Sequence, residues 1–365
     1  MKPSVAVILS FILLILSSFS FALTYHDPTD YMQWDKPHFL FPNFFINWTM
    51  IASPSVPCSY NAGAYTTYAN FYQICGLDAG ITVYPFIQKY NGSSWSILST
   101  SHPGGGVYNH SAAYITNKIV ISGGNTSPGN YYDYTTVYNT STNTWAQSTP
   151  MPQAHMINTA MVSNGTNTCW LLGGEIGGTG TVLNTIYKWT PDVSSMQSLA
   201  PMPAPRKNVS AAYFWNMIYV FGGASLGDTG TNSIWLYDCI ANSWSIVPMT
   251  LTHARTRAAA IQALYVDIFV MGGQNGSTYL SSVERYRPED NTMIDVTPML
   301  FTTAGMAAGG ECYGTPKVKD QEYYGNFYVS GGYNGSLVTQ ANMASVGNGE
   351  VEATSLGNIK ALYRQ

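Results

Sequence analysis

Charge is the scarcest property of this 365-residue chain. Asp, Glu, Lys and Arg together make up 9% of it, against about 25% in ordinary globular proteins. The 15 basic and 19 acidic side chains leave a formal charge of −4, with no basic cluster and no acidic tail. Nothing in the chain would track a phosphate backbone, so nucleic acid is not an expected partner. Long apolar runs are scarce too, and beyond residue 23 none could span a bilayer. The five cysteines, Cys58, Cys75, Cys169, Cys239 and Cys312, lack metal-ligand spacing, and no nucleophile elbow, phosphate loop, HExxH or paired-carboxylate motif stands out. Neither a metal nor a cofactor is expected, and no catalytic residue is assigned. Asn, Ser, Thr and Tyr are left to cover much of the surface.

The long apolar run that does exist is N-terminal: MKPSVAVILSFILLILSSFSFALTYHD. A lysine, an apolar segment from Val5 and the small-x-small pattern Ser20-Phe21-Ala22 read as a signal peptide over residues 1–22. Val5 to Leu23 also approaches the roughly 20 residues of a membrane span, which keeps an uncleaved type II anchor as the alternative. Either outcome puts the rest outside the cytosol, secreted or at the cell surface. Nine Asn-x-Ser/Thr sequons suit that compartment, at Asn47, Asn91, Asn109, Asn125, Asn139, Asn164, Asn208, Asn275 and Asn334.

What the chain has in quantity is a repeat. Apolar strands run into glycine pairs as KIVISGG (Gly123, Gly124), CWLLGG (Gly173, Gly174), MIYVFGG (Gly222, Gly223), DIFVMGG (Gly272, Gly273) and NFYVSGG (Gly331, Gly332). Their spacings are 50, 49, 50 and 59 residues, and FYQICG, with Cys75-Gly76, is an earlier and weaker copy. A period near 50 signals a modular architecture. Upstream of each pair lies a strand of small residues, such as SAAYITN and SAAYFWN. Downstream come a Tyr and a large side chain: Tyr90 with Trp95, Tyr138 with Trp145, Tyr237 with Trp244, Tyr286 with Met293. Each unit is therefore four short strands.

Four-stranded antiparallel units repeated radially make a propeller. The apolar strand, Gly-Gly and spaced Tyr and Trp resemble the secreted kelch-repeat propellers, including the central domain of galactose-oxidase-like proteins. The resemblance implies an all-β, six-bladed propeller over residues 45–355, after a lead-in at 23–44 and before a tail at 356–365. The glycines are expected where the chain crosses tightly from the second strand to the third without crowding the next blade. The Tyr and Trp are expected to pack between blades. Asn47-Trp48-Thr49-Met50, which has the pattern of a fourth strand, is expected to pair with the last blade. The long spacing before Gly331 is expected from an enlarged hairpin at YGTPKVKDQEYY.

Alternating strand direction puts the loops after Gly-Gly and the loops leading into the next blade on one face, the top. It carries His102, His110, His155, Arg206, Lys207, His253, Arg255 and Arg257 on incoming loops, and Glu175, Asp228 and Gln274 on outgoing ones. His155, Glu175, Asp228 and Arg255 are the candidate ligand-binding residues, on a side of the face whose loops lack sequons. Cys58 and Cys75 are expected to form a disulfide. The function expected is a monomeric binding module for an extracellular protein or glycan. The resemblance implies two enzymatic alternatives: a sialic acid mutarotase, using Glu175 with Arg206 or Arg255, and a copper radical oxidase, using Tyr, Cys and His. A structural coat or matrix role is the third. Intracellular kelch adaptors carry an added helical domain, and the export signal argues against that line of work.

Overall fold

The computed structural model describes residues 45–66, 70–263, 267–313 and 324–347, all within the unit Phe41–Gln365. The expected signal peptide, lead-in and tail, and the tip of the enlarged hairpin, lie outside the described residues, as does the side chain of Cys312. Among the described residues no helix is long and apolar enough to cross a membrane.

Small residues at the start of each unit build six inner strands: Ala62–Thr66, Ser111–Ile115, Ala160–Ser163, Ser210–Phe214, Ala259–Ala263 and Ala307–Tyr313. Each begins a four-stranded antiparallel sheet. Blade 4 shows the pattern: Ser210–Phe214, Met217–Phe221, Thr231–Asp238 and Ser243–Arg255 pair in chain order. Consecutive inner strands touch, and the sixth returns to the first, so the ring is closed. Small residues in these strands allow the close approach: a Cβ on Gly63 would lie 2.3 Å from the Ala308 backbone of the neighbouring blade.

The closing blade is composite. Ala307–Tyr313, Tyr324–Ser330 and Ala341–Gly347 take Phe45–Ile51 as their outer strand, with Trp48 opposite Ala344. The N-terminal strand thus seals the edge that the last blade would otherwise expose. Tyr313 pairs with Tyr324, so the enlarged hairpin springs from the bottom of this blade.

Apolar side chains gather in six clusters, one in each seam between neighbouring blades. Between blades 4 and 5, for example, Tyr219, Phe221 and Ile234 meet Ile268, Val270 and Tyr286. The repeated aromatics lie in these seams. Trp95, Trp244 and Trp48 each donate an indole N–H to a carbonyl at the end of the preceding blade, on Ala52, Ala200 and Thr297. Where blade 3 carries Met196 instead of Trp, Trp189 on the neighbouring strand reaches back to Thr149 at 2.8 Å.

The glycine pairs also work across seams. Gly222 and Gly223 have φ of +60° and +84°, a region that side chains with a Cβ disfavour. A Cβ on Gly222 would collide with the Arg255 carbonyl, where the chain leaves blade 4 for blade 5, the same oxygen that accepts the Gly223 N–H at 2.9 Å. The equivalent bond recurs in all six blades, from Gly76 to Val107 round to Gly332 and Cys58. Blade 1 has Cys75 in the first position, at φ +49°.

Candidate binding mouth

Two residues past each receiving carbonyl, the chain turns into the inner strand through one left-handed residue. The six are Tyr60, Asn109, Asn158, Asn208, Arg257 and Gly305, with φ between +51° and +60°. The N–H of five of them donates to the carbonyl of its equivalent one blade earlier: Asn109 to Tyr60, Asn158 to Asn109, Asn208 to Asn158, Arg257 to Asn208 and Gly305 to Arg257, at 2.9–3.0 Å. A belt of main chain therefore rings the top of the axis. Asn and Gly adopt this conformation readily, whereas Tyr and Arg do so at a cost of about 1–2 kcal/mol each.

Those two costly residues face one another. The Arg257 guanidinium lies 5.0 Å from the centre of the Tyr60 ring. It reaches Asp228 at 3.4 Å and the side-chain oxygens of Asn158 and Asn109 at 3.3 and 3.5 Å, all long contacts. Tyr333 stacks on Tyr60, and Tyr279 packs against Tyr333, so one side of the mouth is aromatic. The opposite side is polar: Glu175 receives Lys207 at 2.5 Å and the Asn158 amide at 2.7 Å.

Of the four candidate residues, Glu175 and Asp228 flank this mouth. His155 sits further out, stacked on Tyr131 at 4.6 Å with Asp133 beside it. Arg255 requires a correction. It is fully buried, bonded to the carbonyls of Gly272 and Ser282, the Ser282 hydroxyl and Glu284. Arg206 is its counterpart in blade 4, against Gly222, Ser233 and the face of Trp235. Both brace a blade, and Glu175 pairs with Lys207 instead, so the acid and arginine couple expected for a mutarotase does not form. Cys169 begins a second strand at its bottom end and Cys239 lies on a bottom turn, away from the top-face histidines. The site residue missed was Arg257, although it had been placed on the right face. Its signal was the register: it stands at the position that Asn holds in blades 2, 3 and 4.

Three further expectations change. Cys58 and Cys75 are both free and buried, so the disulfide is not formed. Cys75 occupies the first-glycine position, where its thiol meets the Val107 backbone, while Cys58 donates to Val56; burial pushes both thiols up to about 12. The sequons at Asn125 and Asn208 are not acceptors in the folded chain, because both side chains are buried. Asn109 lies in the mouth and donates to Asn125. Asn109 and Asn208 match the sequon because the left-handed position favours Asn and the inner strand starts with Ser two residues later. Asn47, Asn91 and Asn275 are exposed, and Asn139, Asn164 and Asn334 are partly exposed.

His253, Glu284 and Asp295 bring three possible metal-ligating atoms within 4.8 Å of one another. Arg255 and the amides of Thr252 and His253 already occupy the Glu284 oxygens, so the cluster reads as an ion-pair network.

A family model described as the KLHDC2/KLHL20/DRC7 Kelch-repeats domain matches residues 109–308. Kelch-like protein 25 of Xenopus tropicalis is 26% identical over 230 residues, 59% of this chain and 38% of that protein. Kelch-like protein terF of Aspergillus terreus is 23% identical over 243 residues, 61% of this chain and 51% of that protein. Kelch-like protein 25 of Rattus norvegicus is 28% identical over 134 residues, 34% of this chain and 22% of that protein. The chain thus spans about a fifth to a half of the length of these relatives. A solved structure described as "Structure of YjhT" superposes with a TM-score of 0.64 at 14% identity, over 80% of this chain and 96% of that one, a likeness of fold.

Proposed function

This chain belongs to the kelch-repeat family, and from that membership we propose that it is a binding propeller whose top-face mouth docks a protein partner outside the cytosol. The observation that carries this reading is the mouth itself. In a chain with 9% charged residues, Glu175, Lys207, Asp228 and Arg257 gather around one opening, and two bulky residues hold left-handed backbone there. Strain of that kind, retained at a concave polar surface, favours a recognition role. The apolar N-terminal segment and the exposed sequons support export.

The test is a surface-by-surface comparison on a partner recovered from extracellular proteins. Thr179→Asn creates a sequon with Thr181 on the exposed outgoing loop of blade 3, clear of Gly177, which packs under Tyr131. A glycan there, and Lys207→Glu beside Glu175, should each abolish binding, whereas Lys118→Glu at the bottom end of a second strand should not. Equal affinity for all three variants would sink the reading and leave a coat or matrix role. Turnover of a sugar substrate that depends on Glu175 would instead favour the enzymatic alternative.

A further inference from the structure

On the bottom face, a turn in each of blades 1, 2 and 3 opens on the Asn of a sequon: Asn91 after the strand Ile87–Tyr90, Asn139 at the end of Tyr134–Asn139, and Asn164 after Ala160–Ser163. In all three the side-chain oxygen accepts the backbone N–H two residues on, from Ser93 at 3.0 Å, Ser141 at 2.9 Å and Thr166 at 3.1 Å. A second amide, that of Ser94, Thr142 or Asn167, binds the same oxygen at 2.9–3.1 Å. The oxygen is thereby held against the turn and the amide nitrogen is left on its other side. Ser93, Ser141 and Thr166, the hydroxyl residues of the three sequons, are exposed, and the Ser93 hydroxyl itself reaches the Asn91 oxygen at 2.9 Å. Among the described residues the nitrogens of Asn91 and Asn139 donate to nothing, and that of Asn164 commits one of its two hydrogens, to Asn167 at 3.2 Å.

The turn needs only the oxygen. Asn91 and Asn139 directly follow the repeated Tyr, and in blade 4 that position is Asp238, which accepts the amides of Ile240 and Ala241 at 2.8 Å. A carboxylate therefore caps this turn as well as a carboxamide does, and the nitrogen of Asn91 or Asn139 is surplus to the fold.

The five sequons of the top face are built differently. Asn125 and Asn208 are buried. The Asn109 nitrogen donates to Asn125 at 3.2 Å, and the Asn334 nitrogen to the Thr302 carbonyl at 3.1 Å. The Asn275 oxygen accepts the Gly230 N–H of the neighbouring blade at 3.0 Å instead of an amide of its own turn.

We propose that the exported protein carries N-linked oligosaccharides at Asn91, Asn139 and Asn164, on three consecutive blades, and that Asn109, Asn125, Asn208, Asn275 and Asn334 stay bare. The donor is a lipid-diphosphate-linked oligosaccharide. A bond forms between the Asn Nδ2 and the anomeric carbon of the first N-acetylhexosamine, the lipid diphosphate leaves that carbon, and the nitrogen gives up one proton. The Asn164 nitrogen keeps one hydrogen after the transfer, so its bond to Asn167 can persist. The sugars then shield the bottom of half the ring and leave the mouth open to a protein. The proposal goes beyond the docking role and rests on the export part of that reading.

The test is site-by-site occupancy of the full chain expressed in a secretory eukaryotic cell. Release of the sugars by peptide N-glycosidase in heavy-oxygen water turns each formerly occupied Asn into labelled Asp, which peptide mass spectrometry reads without any variant. The expected result is label at Asn91, Asn139 and Asn164 and none at the five top-face positions. Ser93→Ala, and Asn139→Asp, which keeps the turn oxygen, should each remove one glycan from the chain. Exported protein that is unlabelled at the three turns, or labelled on the top face, would overturn the proposal and leave export standing. A chain held in the cytosol without sugar would overturn the proposal and the export reading together.

Discussion

Arg255 and Arg257 are two residues apart and belong to different worlds. Arg255, in the seam, has every donor engaged by three carbonyls, a hydroxyl and a carboxylate. Arg257, at the mouth, sits in left-handed backbone with contacts of 3.3–3.5 Å. A histidine shows the same engagement in the seam: His102 contacts Thr136 at 3.0 Å and accepts from Gly104, between the rings of Tyr132 and Trp145. In the seam the Arg255 guanidinium is buried and fully engaged, which is what a structural role requires. At the mouth Arg257 has only long contacts, and its backbone is strained. The difference separates the residues that hold the ring together from those left free for a ligand.

The largest effect should come from the seam. Arg255→Ala strands the buried Glu284 carboxylate, and loss of one partner of such a pair costs about 3–5 kcal/mol. Urea unfolding should show it as a lowered midpoint with an unchanged slope, and export should fall with it. Gly223→Val comes next. Its Cβ would press on the Lys207 carbonyl at 2.9 Å in a backbone region that Val disfavours, a strain of about 1–3 kcal/mol. If that variant is exported at the normal level with an unaltered melting temperature, the glycines do not act as described.

A smaller effect should follow from pH. Burial holds His102 down to about 4 and His110 to about 3, whereas in the unfolded chain both titrate near 6.5. The folded state binds fewer protons between those values. The two rings therefore contribute fully above pH 6.5 and progressively less as pH falls toward 4 and 3. Urea midpoints measured from pH 8 to pH 4 should be flat at first and then decline, and His102→Gln should make the decline shallower. A decline of the same steepness in that variant would remove His102 from the account.

Much of the seam was legible in the sequence and little of the mouth was. The fold declares itself through repetition: a Gly-Gly after each apolar strand and a Tyr before each Trp are forced by contacts that recur at every seam. The closing strand could be read because Asn47-Trp48 copies Asn242's own Ser-Trp neighbourhood in blade 4. The mouth is built from a layer in which the blades differ, Tyr60, three asparagines, Arg257 and Gly305, so periodicity says only that something sits there. Arg255 misled because it shares a loop with Arg257, and side-chain direction within a loop is settled by packing. Cys58 and Cys75 misled for the reverse reason: strand pairing brings them to one face, but Cys75 takes a glycine's backbone and turns its thiol to the next blade.

The most direct measurement is a parallel titration and thermal melt of Arg257→Gly. Glycine suits the left-handed position, so relief of strain offsets the lost contacts, and the melting temperature should stay within about 2 °C of the parent. Partner binding should be lost. A melting temperature that collapses as in Arg255→Ala, or a partner bound with undiminished affinity, would contradict the separation of seam from mouth.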